Sequence, residues 1–272
     1  MSHIALTVGS LRTIGVEKQA PPLNELYIRR LRRWNLAVAI VQFVSFAALL
    51  SIALATLSGA RYVPIWVEES RGTAIRSLGS FPVISTLLPF PAITAIFHLL
   101  AYFGVGNYFN DVLVSGCNRL RWIEYSITNG LMTVSLLALA GGGNVIVLVM
   151  AVLCNALMQY FGGLHEHQNH RVSAESRSLD PLVTGFVPWI AIWLAIFSYY
   201  GINFATSTVS DGFAIVGSFG LSLTFVAPLL WRFTKQSNIE NNFRTELAYI
   251  ILSLTAKLYL DWTVTIGTLA GN

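Results

Sequence analysis

Charge is what this sequence has least of. Only 11% of its 272 residues are Asp, Glu, Lys or Arg, against 54% hydrophobic, where soluble domains carry roughly 25% charged residues. A soluble protein of this length still needs a polar surface, so the deficit excludes an ordinary water-soluble fold. A polytopic membrane protein resolves the conflict, because lipid solvates its apolar surface. Cysteine is also scarce, and Cys117 and Cys154 alone do not make a disulfide framework. The first 33 residues lack the apolar core and small-residue cleavage site of a signal peptide. With Arg12, Glu17, Lys18 and the arginines before Trp34, they read as a short amphipathic or disordered arm. No internal repeat, soluble linker or second domain is evident, and nothing points to nucleic acid.

What is present is a series of long apolar runs. A bilayer core of about 30 Å needs about 20 apolar helical residues. Seven stretches qualify: Trp34 to Ser58, Ser85 to Gly106, Cys117 to Ala140, Val145 to Gly163, Pro181 to Tyr200, Phe213 to Trp231 and Phe243 to Thr268. The second has Pro89 and Pro91 near its start, and the third carries Arg119, Arg121 and Glu124 at one end. The fifth is expected to open with Asp180 as N-cap and Pro181 in the first helical position. The expected architecture is an all-α seven-helix membrane bundle, with an arm over 1–33, a membrane domain over 34–268 and a short C-terminal end over 269–272. Between the first two spans, Arg61-Tyr62-Val63-Pro64-Ile65-Trp66-Val67 alternates like a short strand, and a short β-hairpin-like extracellular loop is expected there.

The basic residues predict an orientation. Thirteen of the seventeen lie on the side of the N-terminus: Arg12, Lys18, Arg29, Arg30, Arg32, Arg33, Arg119, Arg121, Arg171, Arg177, Arg232, Lys235 and Arg244. Arg61, Arg71 and Arg76 lie on the other, and Lys257 is inside a span. The N-terminus is therefore expected in the cytoplasm and the C-terminus outside.

Ionisable groups within hydrocarbon mark function by default. Lys257 stands about 20 Å along the last helix from Arg244, at about 1.5 Å per residue, too deep for its amine to reach either surface easily. Such a lysine is neutral, ion-paired or converted to a Schiff base. Glu124 in the third span is its best partner, and Arg121 three residues earlier shares the same face, which suggests an alternating array of Arg121, Glu124 and Lys257. A plain interhelical ion pair accounts for the spacing equally well. Ser253, one turn before Lys257, is placed to hydrogen-bond its nitrogen. His98, Tyr125, Thr128, Asn155 and Trp189 offer a polar and aromatic lining, although helix packing explains each of them singly.

These residues carry a family resemblance. Arg121-Trp122-Ile123-Glu124-Tyr125-Ser126 resembles the third-helix signature of heliorhodopsins, and the stretch from Glu246 to Lys257 resembles their seventh helix. Val187-Pro188-Trp189 resembles their fifth helix, and Asn155 stands where their fourth carries an asparagine. The expected cytoplasmic N-terminus agrees, since ordinary microbial rhodopsins and animal opsins have it outside. The resemblance implies all-trans retinal bound to Lys257 as a protonated Schiff base, with Glu124 as counterion and photoisomerisation to 13-cis. It places His98 and Ser253 in the network around the nitrogen and extends the pocket to Tyr125, Thr128, Asn155, Met158, Trp189 and Phe225. It further implies a slow photocycle suited to signalling, no pumping, no enzymatic activity, and a homodimer in the lipid bilayer to which the first extracellular loop contributes. An unidentified cytoplasmic signalling partner is compatible with this.

Many ion-pumping rhodopsins carry an aspartate four residues before the retinal lysine, where this chain has Ser253. A single carboxylate is left to balance the charge, and protonating it would weaken the field on the chromophore and shift its colour. Asp261, one turn beyond Lys257, is either a hydrated carboxylate near a helix end or a proton-relay site, which would favour light-driven or light-gated proton transport instead. The stretch His165-Glu166-His167-Gln168-Asn169-His170 reads as a solvated loop. No metal site is expected there, because no cysteine or second carboxylate cluster accompanies the histidines in sequence.

Overall fold

A computed structural model describes residues 23–56, 61–69, 74–104, 107–170, 172–235 and 237–270. Most of the arm, together with Arg12, Glu17, Lys18, Arg71, Arg171 and the last two residues, lies outside the described residues.

Helix α1 (Leu23–Thr56) is followed by an antiparallel hairpin of β1 (Tyr62–Glu69) and β2 (Ala74–Pro82). Then come α2 (Val83–Leu87), α3 (Pro89–Phe103), α4 (Tyr108–Ser115), α5 (Arg119–Leu139), α6 (Val145–Asn169), α7 (Asp180–Ile202), α8 (Val209–Thr224), α9 (Val226–Thr234) and α10 (Ile239–Ala270). Helices α2 with α3, and α8 with α9, each form one membrane-length segment, Val83–Phe103 and Val209–Thr234. Six segments are long and apolar enough to cross a bilayer on composition alone. Helix α5 is the seventh, and its 21 residues include the charges of Arg119, Arg121 and Glu124. The bundle is inside out relative to a soluble protein. Phe103, Leu54, Val187 and Leu194 are exposed, whereas Lys257, Glu124 and Asp261 are buried. Lipid on the outside makes that distribution stable.

The chain writes its helix ends in local chemistry. The Asn118 side chain accepts the Arg121 N–H at 3.0 Å and starts α5. Asn144 accepts the Ile146 N–H at 2.9 Å and starts α6. Thr208 and Asp211 form a capping box on α8. The start of α7 departs from expectation. Asp180 is already helical and Pro181 follows it, so Leu179 is the cap, and the Ser178 hydroxyl accepts the Asp180 N–H at 3.0 Å. A serine two residues before the helix thus satisfies its first backbone donor.

Other boundaries also move. Helix α1 starts at Leu23, inside the expected arm, and α10 runs two residues past the expected end of the membrane domain. Helix α4, between the second and third spans, had no signal in the apolar pattern; Gly116 ends it with φ 68°, a left-handed conformation that suits glycine. Residues 165–169 form the last turns of α6 rather than a loop.

The strand expected after α1 is β1, and β2 completes a hairpin with a register irregularity between Ile65 and Trp66. The hairpin lies on the α5–α6 turn, where the Trp66 N–H donates to the Gly143 carbonyl at 3.1 Å. A Cβ on Gly143 would run into the Pro64 carbonyl, so only glycine allows this approach. Arg61 secures the same end, with Nη1 2.7 Å from an Asp211 carboxylate oxygen.

Candidate functional site

Lys257 and Glu124 meet. Lys257 on α10 is 1% exposed, and its Nζ lies 2.5 Å from Glu124 Oε1 on α5. One face of α10 points Ser253, Lys257 and Asp261 inward at helical spacing, and all three are buried. The Tyr125 ring centre is 5.4 Å from Nζ, so its π-face also meets the charge.

Two cavities flank this pair. The larger encloses about 1180 Å³ of unfilled space, counting its open part, and Lys257, Ser253, Met158, Trp189, Trp193 and Phe225 are among its walls. The smaller one holds Glu124, His98, Asn35, Arg121 and Glu246 among its walls. Tyr125 and Tyr249 line both. The pair therefore stands in the partition, with its amine on the side of the apolar cavity and its carboxylate on the side of the polar one.

The other expected residues fall in several places. Trp189 borders the larger cavity and donates Nε1–H to the Ser222 hydroxyl at 3.2 Å. Phe225, in the break between α8 and α9, packs against Tyr125 with ring centres 5.7 Å apart. His98 lies on the polar side; its Nδ1 is 2.7 Å from Asn35 Oδ1, and its Nε2 has no partner among the described residues. Ser253 lines the apolar cavity but does not bond the lysine, whose contact goes to Glu124; its hydroxyl lies beside Tyr125 instead. Asn155 donates to the Ser126 carbonyl at 3.0 Å and so ties α6 to α5. Thr128 lines neither cavity, and its hydroxyl returns to the Glu124 carbonyl at 3.0 Å.

The array of Arg121, Glu124 and Lys257 does not form. Arg121 turns to Glu246 Oε1, 2.5 Å from Nη1, and to Glu166. Trp122 donates Nε1–H to Glu166 at 2.7 Å, and Asn118 donates Nδ2–H to Glu246 at 2.7 Å. The Arg121 guanidinium also covers the Tyr249 ring at 4.0 Å. Sequence reasoning missed this cluster because Arg121 and Glu124 share a helix face while the partners come from α6 and α10. The signal lay in α6: if the helix continues past Gly163, Glu166 must point inward at one residue in every 3.6. Arg121 is consequently a buried charge rather than a surface one, which leaves twelve basic residues on the side of the N-terminus against three.

The histidine stretch departs from expectation as well. His165 is buried, and Cys117, remote in sequence, lies beside His167 and His170. At the other end of the polar column, Asp261 is 0% exposed with neither carboxyl oxygen hydrogen-bonded among the described residues.

A seven-helix membrane bundle with a buried amine–carboxylate pair at the wall of a mainly apolar, aromatic-lined cavity defines a protein of the retinal rhodopsin class. A family model for heliorhodopsin matches residues 31–269, nearly the whole chain. The chain belongs to the heliorhodopsin family and is an integral membrane, light-sensing protein of rhodopsin type with a retinal chromophore. No curated protein matches it. The residues suit that chromophore: the cavity is lined mainly by apolar and aromatic side chains, and a primary amine stands at its wall beside a counter-charge.

Proposed function

We propose that this protein is a signalling photoreceptor that carries all-trans retinal on Lys257 and balances the charge of the linkage with Glu124. The observation that carries the reading is the 2.5 Å contact between Nζ and Glu124 at the wall of the apolar cavity. Bound retinal supplies visible absorption and all-trans to 13-cis photoisomerisation. The protein's own groups do the rest. Glu124 fixes the positive charge at the nitrogen, and the Tyr125 ring adds to it. Trp189 and Phe225 keep water from the apolar cavity, while His98, beside Glu124 and with no Nε2 partner among the described residues, is placed to take or return a proton on the polar side.

A slow cycle without pumping fits Ser253, which leaves no second carboxylate on the turn before Lys257. Movement at Lys257 would reach the end where α1 starts through Tyr249, which touches Tyr125, and Arg121, which binds α5, α6 and α10 together. The excess of basic residues at that end puts it in the cytoplasm, where a signalling partner would read it. The hairpin, with Tyr62, Ile75 and Leu78 exposed, is the surface suited to a second copy of the chain. No role as an enzyme is part of this reading.

Adding all-trans retinal to membranes that contain the protein should generate a visible absorption band. Lys257→Ala should abolish it; a band that persists in that variant overturns the attachment site.

Asp261 favours one second reading, light-driven or light-gated proton transport. Its buried carboxyl follows Lys257 by one turn, and Ser45 lies beside it. Current recording on reconstituted protein separates the two. A sustained, protonophore-sensitive photocurrent that Asp261→Asn removes would replace signalling with transport.

A further inference from the structure

A second cluster of chemically capable side chains lies at the end of the bundle where α1 begins, away from the retinal cavity. Helix α6 continues to Asn169, so His167 and His170 are three residues apart at its last turn and face the same way. Cys117 approaches them from the link between α4 and α5, and its Sγ donates to the Glu166 carbonyl at 3.5 Å. One ligand atom from each of Cys117, His167 and His170 lies within 4.8 Å of the others. Two of the three are joined by a further contact. His170 Nδ1 is 2.6 Å from the His167 carbonyl. A carbonyl only accepts, so Nδ1 carries the proton and Nε2 is left as the lone-pair donor. Ligating histidines are commonly oriented by such a bond from the other ring nitrogen.

We propose that Cys117, His167 and His170 bind a zinc(II) ion, with water in the fourth position. One thiolate and two imidazoles suit a borderline-soft divalent ion and a tetrahedral site with one open place. Zn–S and Zn–N bonds of about 2.3 and 2.0–2.1 Å need the donors to draw together by roughly 1 Å. His167 is exposed and free to make that movement. The thiol proton leaves for solvent when the metal binds. Arg232 lies beside Cys117 and donates to the Ser115 carbonyl at 3.0 Å; its charge only partly offsets the burial and the Glu166 carboxylate that keep the thiol protonated, so the metal itself must displace the proton. The ion would fasten the end of α6 to the α4–α5 link directly over Glu166, and so hold the Arg121 cluster in place. This inference does not rest on the retinal reading, because its ligands lie outside both cavities.

The test uses the full-length protein, purified in detergent and stripped of metal with a chelator. Zinc chloride titrated against a chromophoric chelator should show one tight equivalent per chain and raise the melting temperature until that equivalent is filled. Cobalt(II) should give a thiolate charge-transfer band. Cys117→Ser should remove the band and weaken zinc at least tenfold. The double variant His167→Gln, His170→Gln should weaken zinc as much, and unchanged melting temperatures of the metal-free variants would show that folding is intact. Absence of the tight equivalent, or its survival in either variant, overturns the proposal. Should one variant misfold, the other still decides the outcome.

Discussion

The two ends of the polar interior are built differently. Toward the start of α1, Arg121 holds Glu166 and Glu246, Asn118 and Trp122 donate to their remaining oxygens, and Lys257 takes Glu124. Toward the hairpin, Asp261, Gln42, Ser45 and Thr94 are buried on α10, α1 and α3, and their side-chain polar atoms lack hydrogen bonds among the described residues. A buried charge with good partners is costly to break but not in itself a large gain in stability. A buried polar group without a partner is a reserved place for water, a proton or an ion. The first end is thus suited to hold shape and pass movement on, and the second to change its protonation or hydration.

Substitutions can break this contrast. The largest effect is expected from Arg121→Ala, which leaves buried Glu246 without a cation among the described residues and Glu166 with only the more distant Arg232 at 3.7 Å; such losses cost about 3–5 kcal/mol, measurable as a fall in thermal stability. Gly162→Ala acts on the same end by overpacking. Its Cβ would meet the Trp122 ring and push the indole off Glu166, at about 1–3 kcal/mol. Asn155→Ala removes the Nδ2 hydrogen bonds from α6 to the Ser126 and Tyr125 carbonyls of α5, at 3.0 and 3.5 Å, and within membranes such bonds average about 0.6 kcal/mol each. Asp261→Leu should cost far less stability than Arg121→Ala, because it parts from the neighbouring Ser45 but from no salt bridge among the described residues. A loss of several kcal/mol there would show that Asp261 anchors a water chain, and the two ends would no longer differ. Colour sharpens the comparison independently of stability. Glu124→Gln should move the visible band to longer wavelength, since the lost negative charge stabilised the state with positive charge on the nitrogen, whereas Asp261→Asn should move it far less.

Residues that recur on one helix were readable in advance. Ser253, Lys257 and Asp261 do share an inward face, and Glu124 does meet Lys257. Arg121 shows the limit. Its spacing to Glu124 put the two on one face, but nothing in the spacing said that α6 would bring Glu166 closer. The histidine stretch failed for a related reason: its polarity suited a loop, whereas α6 continues through it and buries His165 and Glu166. Ser253 lines the apolar cavity as expected of a pocket residue but does not bond Lys257, whereas Thr128 lines neither cavity and turns its hydroxyl back to its own helix.

By itself the sequence determined that the chain crosses a membrane, where its apolar segments fall, that the third carries charge, and that one lysine is too deep to escape. Those properties are set by composition and by the 3.6-residue period within single helices. Tertiary structure alone decided which helix supplies each partner: Glu166 and Glu246 for Arg121, Cys117 for His167 and His170, and none described for Asp261. The rotation and stagger of one helix against the next fix those meetings, and no local pattern in the chain records them.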